Sequence, residues 1–345
     1  MRAKGITYDT GFLRDGISSR PHYDADNVRA ELRIIRDDLH CTAVRIVGGD
    51  ADRLELAATH AADLGLEVWF SPYPLEQTTA QMRALLLDCA ERAERLRRRG
   101  AEVVLVVGAE LSLMTAGFLP GDSVAERVAA LADVDTLPTR VAHASAQLNA
   151  FFHTVVPLIR QRFGGRLTYA SVQFERVDWA LFDLISVDLY RSAAVADRFA
   201  DGVRALVTQG KPVAVTEFGA ATFHGAGDVG ANGLDIVEYN PDPIRLTGIH
   251  TRDEQGQATY LRELLELFDD AGIDTAFVFL FALYDMPHRP DGDPTLDLDL
   301  ASYGIVKVLD GRTGTAYPTM TWEPKVAFAA VADHYRDAPA TPRVG

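Results

Sequence analysis

Two glutamates in this chain each follow a run of small and apolar residues. One ends Val104-Leu-Val-Val-Gly-Ala-Glu110, and the other lies in Pro212-Val-Ala-Val-Thr-Glu217-Phe-Gly219. A carboxyl group directly after a buried strand is partly desolvated, which raises its pKa, and a second carboxylate nearby raises one of the two further. A pair whose protonation is split in this way suits cleavage of a glycosidic bond. One carboxylic acid protonates the leaving oxygen, and the other carboxylate acts as nucleophile or base. Taken singly, either glutamate could instead cap the following helix or pair with an arginine. Two of them at strand ends favour the chemical reading.

Strands must carry these side chains, and the sequence supplies them in alternation with helices. Apolar runs read as strands over 4–8, 42–47, 66–71, 102–107, 167–172, 184–189, 211–216 and 275–281. Helical patterns cover 27–39, 54–64, 79–98, 138–163, 194–209 and 253–270, with Pro157 expected to break or kink its helix. Most of the strands are apolar throughout rather than alternating, as in a parallel sheet buried on both faces. Eight such units predict an α/β chain folded as one (β/α)8 TIM barrel across 1–345, with extended loops at 222–252 and 287–303 after strands 7 and 8. An open doubly wound sheet is the competing architecture. It would normally carry a glycine-rich phosphate loop after strand 1, where Thr10-Gly11-Phe12-Leu13 stands instead.

In a barrel of this kind the polar residues at the C-terminal strand ends face the substrate. They are Tyr8 and Asp9 after strand 1, Arg45 in strand 2, Ser71 and Tyr73 at strand 3 and Glu110 at strand 4. Gln173 and Glu175 follow strand 5, Asp188, Tyr190 and Arg191 end strand 6, Glu217 ends strand 7, and Tyr284 and Asp285 follow strand 8. The expected substrate-binding set is Arg45, Tyr8, Asp9, Asp188, Tyr190, Tyr284 and Asp285, around the catalytic pair Glu217 and Glu110.

Lys211-Pro-Val-Ala-Val-Thr-Glu217-Phe-Gly219 resembles the strand-7 nucleophile motif of clan A glycoside hydrolases, the retaining (β/α)8 group with catalytic glutamates after strands 4 and 7. Thr42-Ala-Val-Arg45 resembles the clan's strand 2, where an arginine supports the nucleophile, and Ile185-Ser-Val-Asp-Leu-Tyr190 resembles its strand 6. The stretch 252–261 resembles the helix before strand 8. Tyr303-Gly-Ile-Val-Lys307 and Trp322-Glu-Pro-Lys325-Val-Ala-Phe328 resemble the closing segment, so the likeness runs from about residue 4 to about 335. It implies Glu217 as nucleophile, Glu110 as acid/base and Arg45 as the cation that keeps Glu217 charged; Tyr190, or a tyrosine near it, is expected to hydrogen-bond the nucleophile. Two departures stand out. The clan usually places Asn before the acid/base, where this chain has Ala109. It often ends strand 8 with Trp, where this chain runs Phe279-Leu-Phe-Ala-Leu-Tyr284. Both changes bear on sugar recognition. They leave open a non-hydrolytic barrel protein, a binding module or a tailoring enzyme of secondary metabolism, that reuses the pocket.

Composition narrows the classes further. With 34 Lys+Arg against 49 Asp+Glu the net charge is −15, which disfavours nucleic acid and anionic membrane surfaces as partners and leaves a small-molecule or oligosaccharide substrate. Cys41 and Cys89 are too few for a disulfide framework or a four-thiolate metal site. The nine histidines form no zinc-binding spacing, and no Gly-x-Ser-x-Gly elbow is present, so no metal or cofactor is expected and serine hydrolysis is disfavoured. The loop with Asp291, Asp293, Asp297 and Asp299 does not match a calcium-binding EF-hand and reads as a solvated acidic loop. The N-terminus shows no signal-peptide pattern, which makes a cytoplasmic location the expectation.

Overall fold

The barrel strands follow one another around a ring in the computed structural model, which describes residues 1–14 and 17–337. They are β1 (Ala3–Asp9), β2 (Ala43–Gly48), β3 (Glu67–Pro72), β4 (Val103–Ala109), β5 (Arg166–Ala170), β6 (Ile185–Asp188), β7 (Val213–Phe218) and β8 (Thr275–Val278). Each pairs in parallel with its sequence neighbour from β1 to β5 and from β6 to β8, and β8 pairs with β1. The remaining seam, β5 to β6, closes through the parallel bridge Ser171–Val187. There the Ser171 N–H donates to Ser186 O at 3.2 Å and the Asp188 N–H to Ser171 O at 2.9 Å. This is a (β/α)8 TIM barrel, as the apolar runs predict.

The covering helices are α1 (Ala25–Asp37), α2 (Ala51–Asp63), α3 (Thr79–Arg98), α4 (Leu137–Arg160), α5 (Ala196–Val207), α6 (Glu254–Ala271) and α7 (Val326–Asp337). Their starts follow ordinary capping chemistry: Asp24 and Asp50 accept from backbone N–H groups, and Thr78 with Gln81 forms a capping box. Pro157 sits in the last turn of α4, which continues to Arg160. Between β5 and β6 the helix is reduced to the single turn Trp179–Leu181. None of the described helices is long and apolar enough to cross a membrane.

Side chains alternate between two apolar compartments. Ala3, Ala43, Val47, Trp69, Val104, Val106, Ala109, Ala170, Ala214 and Phe277 fill the lumen, with the Trp69 and Phe277 rings 4.8 Å apart. Ile6, Tyr8, Val44, Ile46, Val68, Phe70, Leu105, Val213 and Val215 point the other way, into the layer between sheet and helices. Cys41 and Cys89 are free and buried.

The two long loops are locked to each other by charge. Arg252 donates to Asp299 at 2.8 Å and to Asp297 at 2.9 Å, while Lys325, fully enclosed, pairs with Asp299 at 2.9 Å. His288 contacts Asp297 at 2.9 Å. The acidic loop is therefore solvated only in part. Asp291 and Asp293 are exposed, but Asp297 and Asp299 are buried anchors, because cations from outside the loop turn inward to meet them.

Candidate active site

Strict alternation along β7 would send Glu217 outward. Ala214 faces the lumen and Val215 the helices, so residue 217 should share the side of 215. The strand instead slips register between Val187–Val215 and Asp188–Glu217, a β-bulge that turns Glu217 toward the axis. A similar slip occurs in β4, where pairing jumps from Val106–Thr168 to Ala109–Ala170. Gly108 takes φ +83° there, and a Cβ on it would lie 2.8 Å from Leu111. Glu110 follows at φ 46°, ψ 39°, a left-handed conformation uncommon for a residue with a side chain. The turn is pinned on both sides. The Glu110 N–H donates to Ala170 O at 2.9 Å, and the Glu110 carbonyl accepts from Leu113 at 2.8 Å and Met114 at 2.9 Å.

Hydrogen bonds from β5 and the loop after it hold that turn. Tyr169 donates to Glu175 at 2.9 Å and accepts from the Leu111 N–H at 2.7 Å, and Glu175 accepts from the Ser112 N–H at 3.1 Å. Glu175 was visible in the sequence as a residue after strand 5. Its service to the neighbouring turn was not, because it depends on the path of the β5 loop.

At the rim the two glutamates have different surroundings. Glu217, 4 % exposed, accepts from Arg45 Nη1 at 2.7 Å and from the Tyr190 hydroxyl at 3.1 Å. Arg45 is fully enclosed and also donates to Thr216 O at 3.1 Å and to Ser71 Oγ at 3.2 Å. Glu110 accepts only from the Tyr73 hydroxyl, at 3.3 Å, among the described residues. Burial first, then the charges of Glu217 and Glu175, push its carboxyl up to about 8. Asp188 is a third carboxyl group in the cluster. Burial, followed by Glu217 and Glu110, holds it well above the usual carboxylate range. One oxygen each from Glu110, Asp188 and Glu217 lie within 4.8 Å of one another. Three carboxylates at this spacing are also a set that could ligate a cation, although Arg45 already brings one positive charge to Glu217.

Of the residues expected here, the structure brings together Glu110, Glu217, Arg45, Asp188 and Tyr190. It places the other four elsewhere. Tyr8 points outward from β1 into the helix layer, where its hydroxyl donates to Glu31 and accepts from Arg20 at 2.8 Å. Tyr284 donates to the same Glu31 at 2.7 Å, under the Arg20 guanidinium 4.0 Å from its ring. Asp9 faces inward, but both its oxygens serve the loop after β1: the Gly11 N–H donates at 2.6 Å and Ser19 Oγ at 3.0 Å. Asp285 lies on the surface. Missing from the expected set are Tyr73, which ends β3 beside Glu110, and Tyr303, whose ring stands 5.8 Å from that of Tyr190 and 6.1 Å from that of Phe279. Phe279 and Tyr303 thus stack behind Tyr190, the donor to Glu217.

The sequence matches no protein-family model and no curated protein. Solved structures do match in fold. A GH113 β-1,4-mannanase aligns over 97 % of this chain and 99 % of its own, at TM-score 0.62 and 15 % identity. A Parabacteroides merdae β-glucuronidase aligns over 97 % of this chain and 39 % of its own, at TM-score 0.59 and 13 % identity. The likeness to clan A glycoside hydrolases read in the sequence thus holds in the fold: this chain has the (β/α)8 barrel of the glycoside hydrolases it resembles.

Proposed function

We propose that the chain is a retaining glycoside hydrolase in which Glu217 is the nucleophile and Glu110 the acid/base. The observation that carries this reading is the split between two glutamates across one short gap. Glu217 has a guanidinium and a phenol donating to it, which hold its carboxyl group rigidly in place, as a nucleophile needs. Glu110 has one weak donor and a carboxyl group pushed up to about 8, so it holds a proton at neutral pH and can give it to a leaving oxygen. One oxygen of each lies within 4.8 Å of the other, a short gap that supports the retaining arrangement, in which the carboxyl groups stand ~5–5.5 Å apart.

In the first step the Glu217 carboxylate forms a bond to the anomeric carbon while the glycosidic C–O bond breaks, and Glu110 protonates the departing oxygen. In the second step Glu110, now ionised, takes a proton from water, whose oxygen attacks the anomeric carbon and releases Glu217. Arg45 and Tyr190 keep the nucleophile oriented throughout. The solved neighbours, a mannanase and a glucuronidase by name, act on different sugars, so the fold leaves the glycone open.

A panel of nitrophenyl glycosides tests the reading. Activity on at least one of them should fall by about 10⁴-fold in Glu217→Gly, as for other covalent nucleophiles. Azide should restore turnover of the activated substrate and give a product of inverted configuration. Substantial unassisted activity in that variant would overturn the assignment. Silence of the folded wild type across the panel would favour the non-hydrolytic alternative.

A further inference from the structure

Asp188 is buried to 4 % exposure at the end of β6, yet neither of its carboxyl oxygens has a hydrogen-bond donor among the described residues. A buried polar group without a hydrogen bond is costly, and more so when it is charged. Most of the donors around it are committed elsewhere; the exceptions are the Thr216 hydroxyl, which interacts with Asp188, and Nη2 of Arg45, which has no partner among the described residues. Tyr73 donates to Glu110, Tyr190 donates to Glu217, and Arg45 donates to Glu217, to Thr216 O and to Ser71. Ala109, fully enclosed on the lumen side, has only a methyl group to offer.

The position of Asp188 limits what can satisfy it. One of its oxygens lies within 4.8 Å of an oxygen of both Glu110 and Glu217. If Glu217 faces the anomeric carbon and Glu110 the leaving oxygen, Asp188 faces a substituent next to that carbon. The charge balance limits the occupant further. Arg45 pairs with Glu217, and its charge reaches Asp188 too, but burial and the two neighbouring carboxyl groups outweigh it and disfavour the charged form of Asp188, so the cluster is short of a second cation. A sugar hydroxyl offers it one neutral hydrogen bond. An ammonium offers three N–H donors and a charge, and charge-assisted hydrogen bonds are roughly twice as strong as neutral ones.

We propose that Asp188 is the binding point for a cationic amine on the glycone, so that the preferred substrate is a glycoside of a 2-amino-2-deoxy sugar with its amine free. The proposal rests on the glycosidase reading for the orientation of the sugar, but its test does not require turnover.

Wild type and Asp188→Asn are titrated calorimetrically near neutral pH with three probes: the disaccharide of glucosamine, the same disaccharide N-acetylated, and cellobiose. Wild type should bind the free-amine disaccharide at least about tenfold more tightly than either neutral probe. That preference should shrink toward unity in Asp188→Asn. The wild-type ranking is decisive even if the variant does not fold. Equal or tighter binding of the neutral probes by wild type overturns the amine assignment while leaving the glycosidase reading intact. Failure to bind any of the three overturns the amine assignment and leaves the glycosidase reading to the aryl-glycoside panel. An amine preference in a protein silent on every aryl glycoside sustains the amine site and removes hydrolysis. Magnesium titrated in parallel supplies one more overturning result: ion binding that Asp188→Asn abolishes, with no amine preference in wild type, would make the carboxylate cluster a metal site.

Discussion

At the N-terminal face of the barrel Glu67 is 5 % exposed, and it collects donors. Arg2 gives it two hydrogen bonds, at 2.6 and 3.1 Å, Arg166 one at 3.1 Å and Trp69 one at 2.8 Å. At the C-terminal face Glu217 and Asp188 are each 4 % exposed, and together with Glu110 they share a single arginine. Burial pushes Glu67 up, but the hydrogen bonds and charge of Arg2, then Trp69 and Arg166, outweigh it and hold the group below its ordinary range. Burial, then the charges of Glu217 and Glu175, push Glu110 up to about 8, and the Tyr73 hydrogen bond and the Arg45 charge offset this only in part. Equal burial with opposite provision separates a carboxylate that closes the barrel floor from carboxylates kept for a ligand. Glu31 shows the floor's logic again: Tyr8, Arg20, Tyr284 and Trp322 all donate to it.

The sharpest break in this comparison should come from Glu110. Replacing it with Gln removes the proton donor but leaves the shape, and turnover of glycosides with poor leaving groups should fall by about 10²–10⁴-fold. Activated aryl glycosides, whose departure needs little protonation, should lose much less. Equal losses on both kinds of substrate would mean that Glu110 does not act as the acid. Arg45→Met comes next. It strands a buried carboxylate, which typically costs about 3–5 kcal/mol, measured as a lowered urea midpoint. Adding Glu217→Gln to Arg45→Met should recover much of that loss, because no uncompensated charge remains. If the double variant is as unstable as the sum of the singles, Arg45 is holding the barrel by packing rather than by charge.

How far this was readable in the sequence depends on parity and on bulges. The eight strands were legible as apolar runs, and Glu110, Glu217, Arg45, Asp188 and Tyr190 as polar residues at their ends. Tyr8 was misplaced although β1 carries the signal: Ala3, Thr7 and Asp9 share one face, and Ile6 and Tyr8 the other. The same period-2 logic applied to β7 would have turned Glu217 outward, and only the register slip brings it in. Its place after an apolar run, and then the motif likeness, found that residue where periodicity alone would have lost it. Tyr284 was out of reach, since its partner Glu31 lies on α1 and the two meet only when the ring closes. Tyr73 was in view as the end of β3, but no spacing rule links a residue there to one seven places beyond the start of β4.

A smaller effect tests the floor. Glu67→Gln should lower stability by about 2 kcal/mol, because Arg2 and Arg166 are partly solvated and lose less than a fully buried partner would. Activity per folded molecule should be unchanged. A drop in kcat at intact stability would show that the floor and the site are coupled, and the two ends could no longer be treated separately.

The smallest expected effect is a difference in the sign of two pH slopes. A glutamate in an unfolded chain titrates near ~4.3. Glu110 titrates at about 8 in the fold, so from about pH 4.3 to about pH 8 the native state keeps a proton that the unfolded chain has released. Stability contributed through Glu110 is therefore fully present below that window and falls as pH rises through it. Glu67 is held below its ordinary range, so its contribution is present above about pH 4.3 and is lost as pH falls through the lower folded value. Urea midpoints across pH for wild type, Glu110→Gln and Glu67→Gln separate the two. Glu110→Gln should gain on wild type from about pH 5 to about pH 8, by up to about 1.4 kcal/mol for each pH unit. The deficit of Glu67→Gln should stay level across that range and narrow only in acid. A flat difference for Glu110→Gln between those limits would mean that Glu110 is ionised throughout. The two glutamates would then no longer differ in protonation, and the division between acid and nucleophile would lose its physical basis.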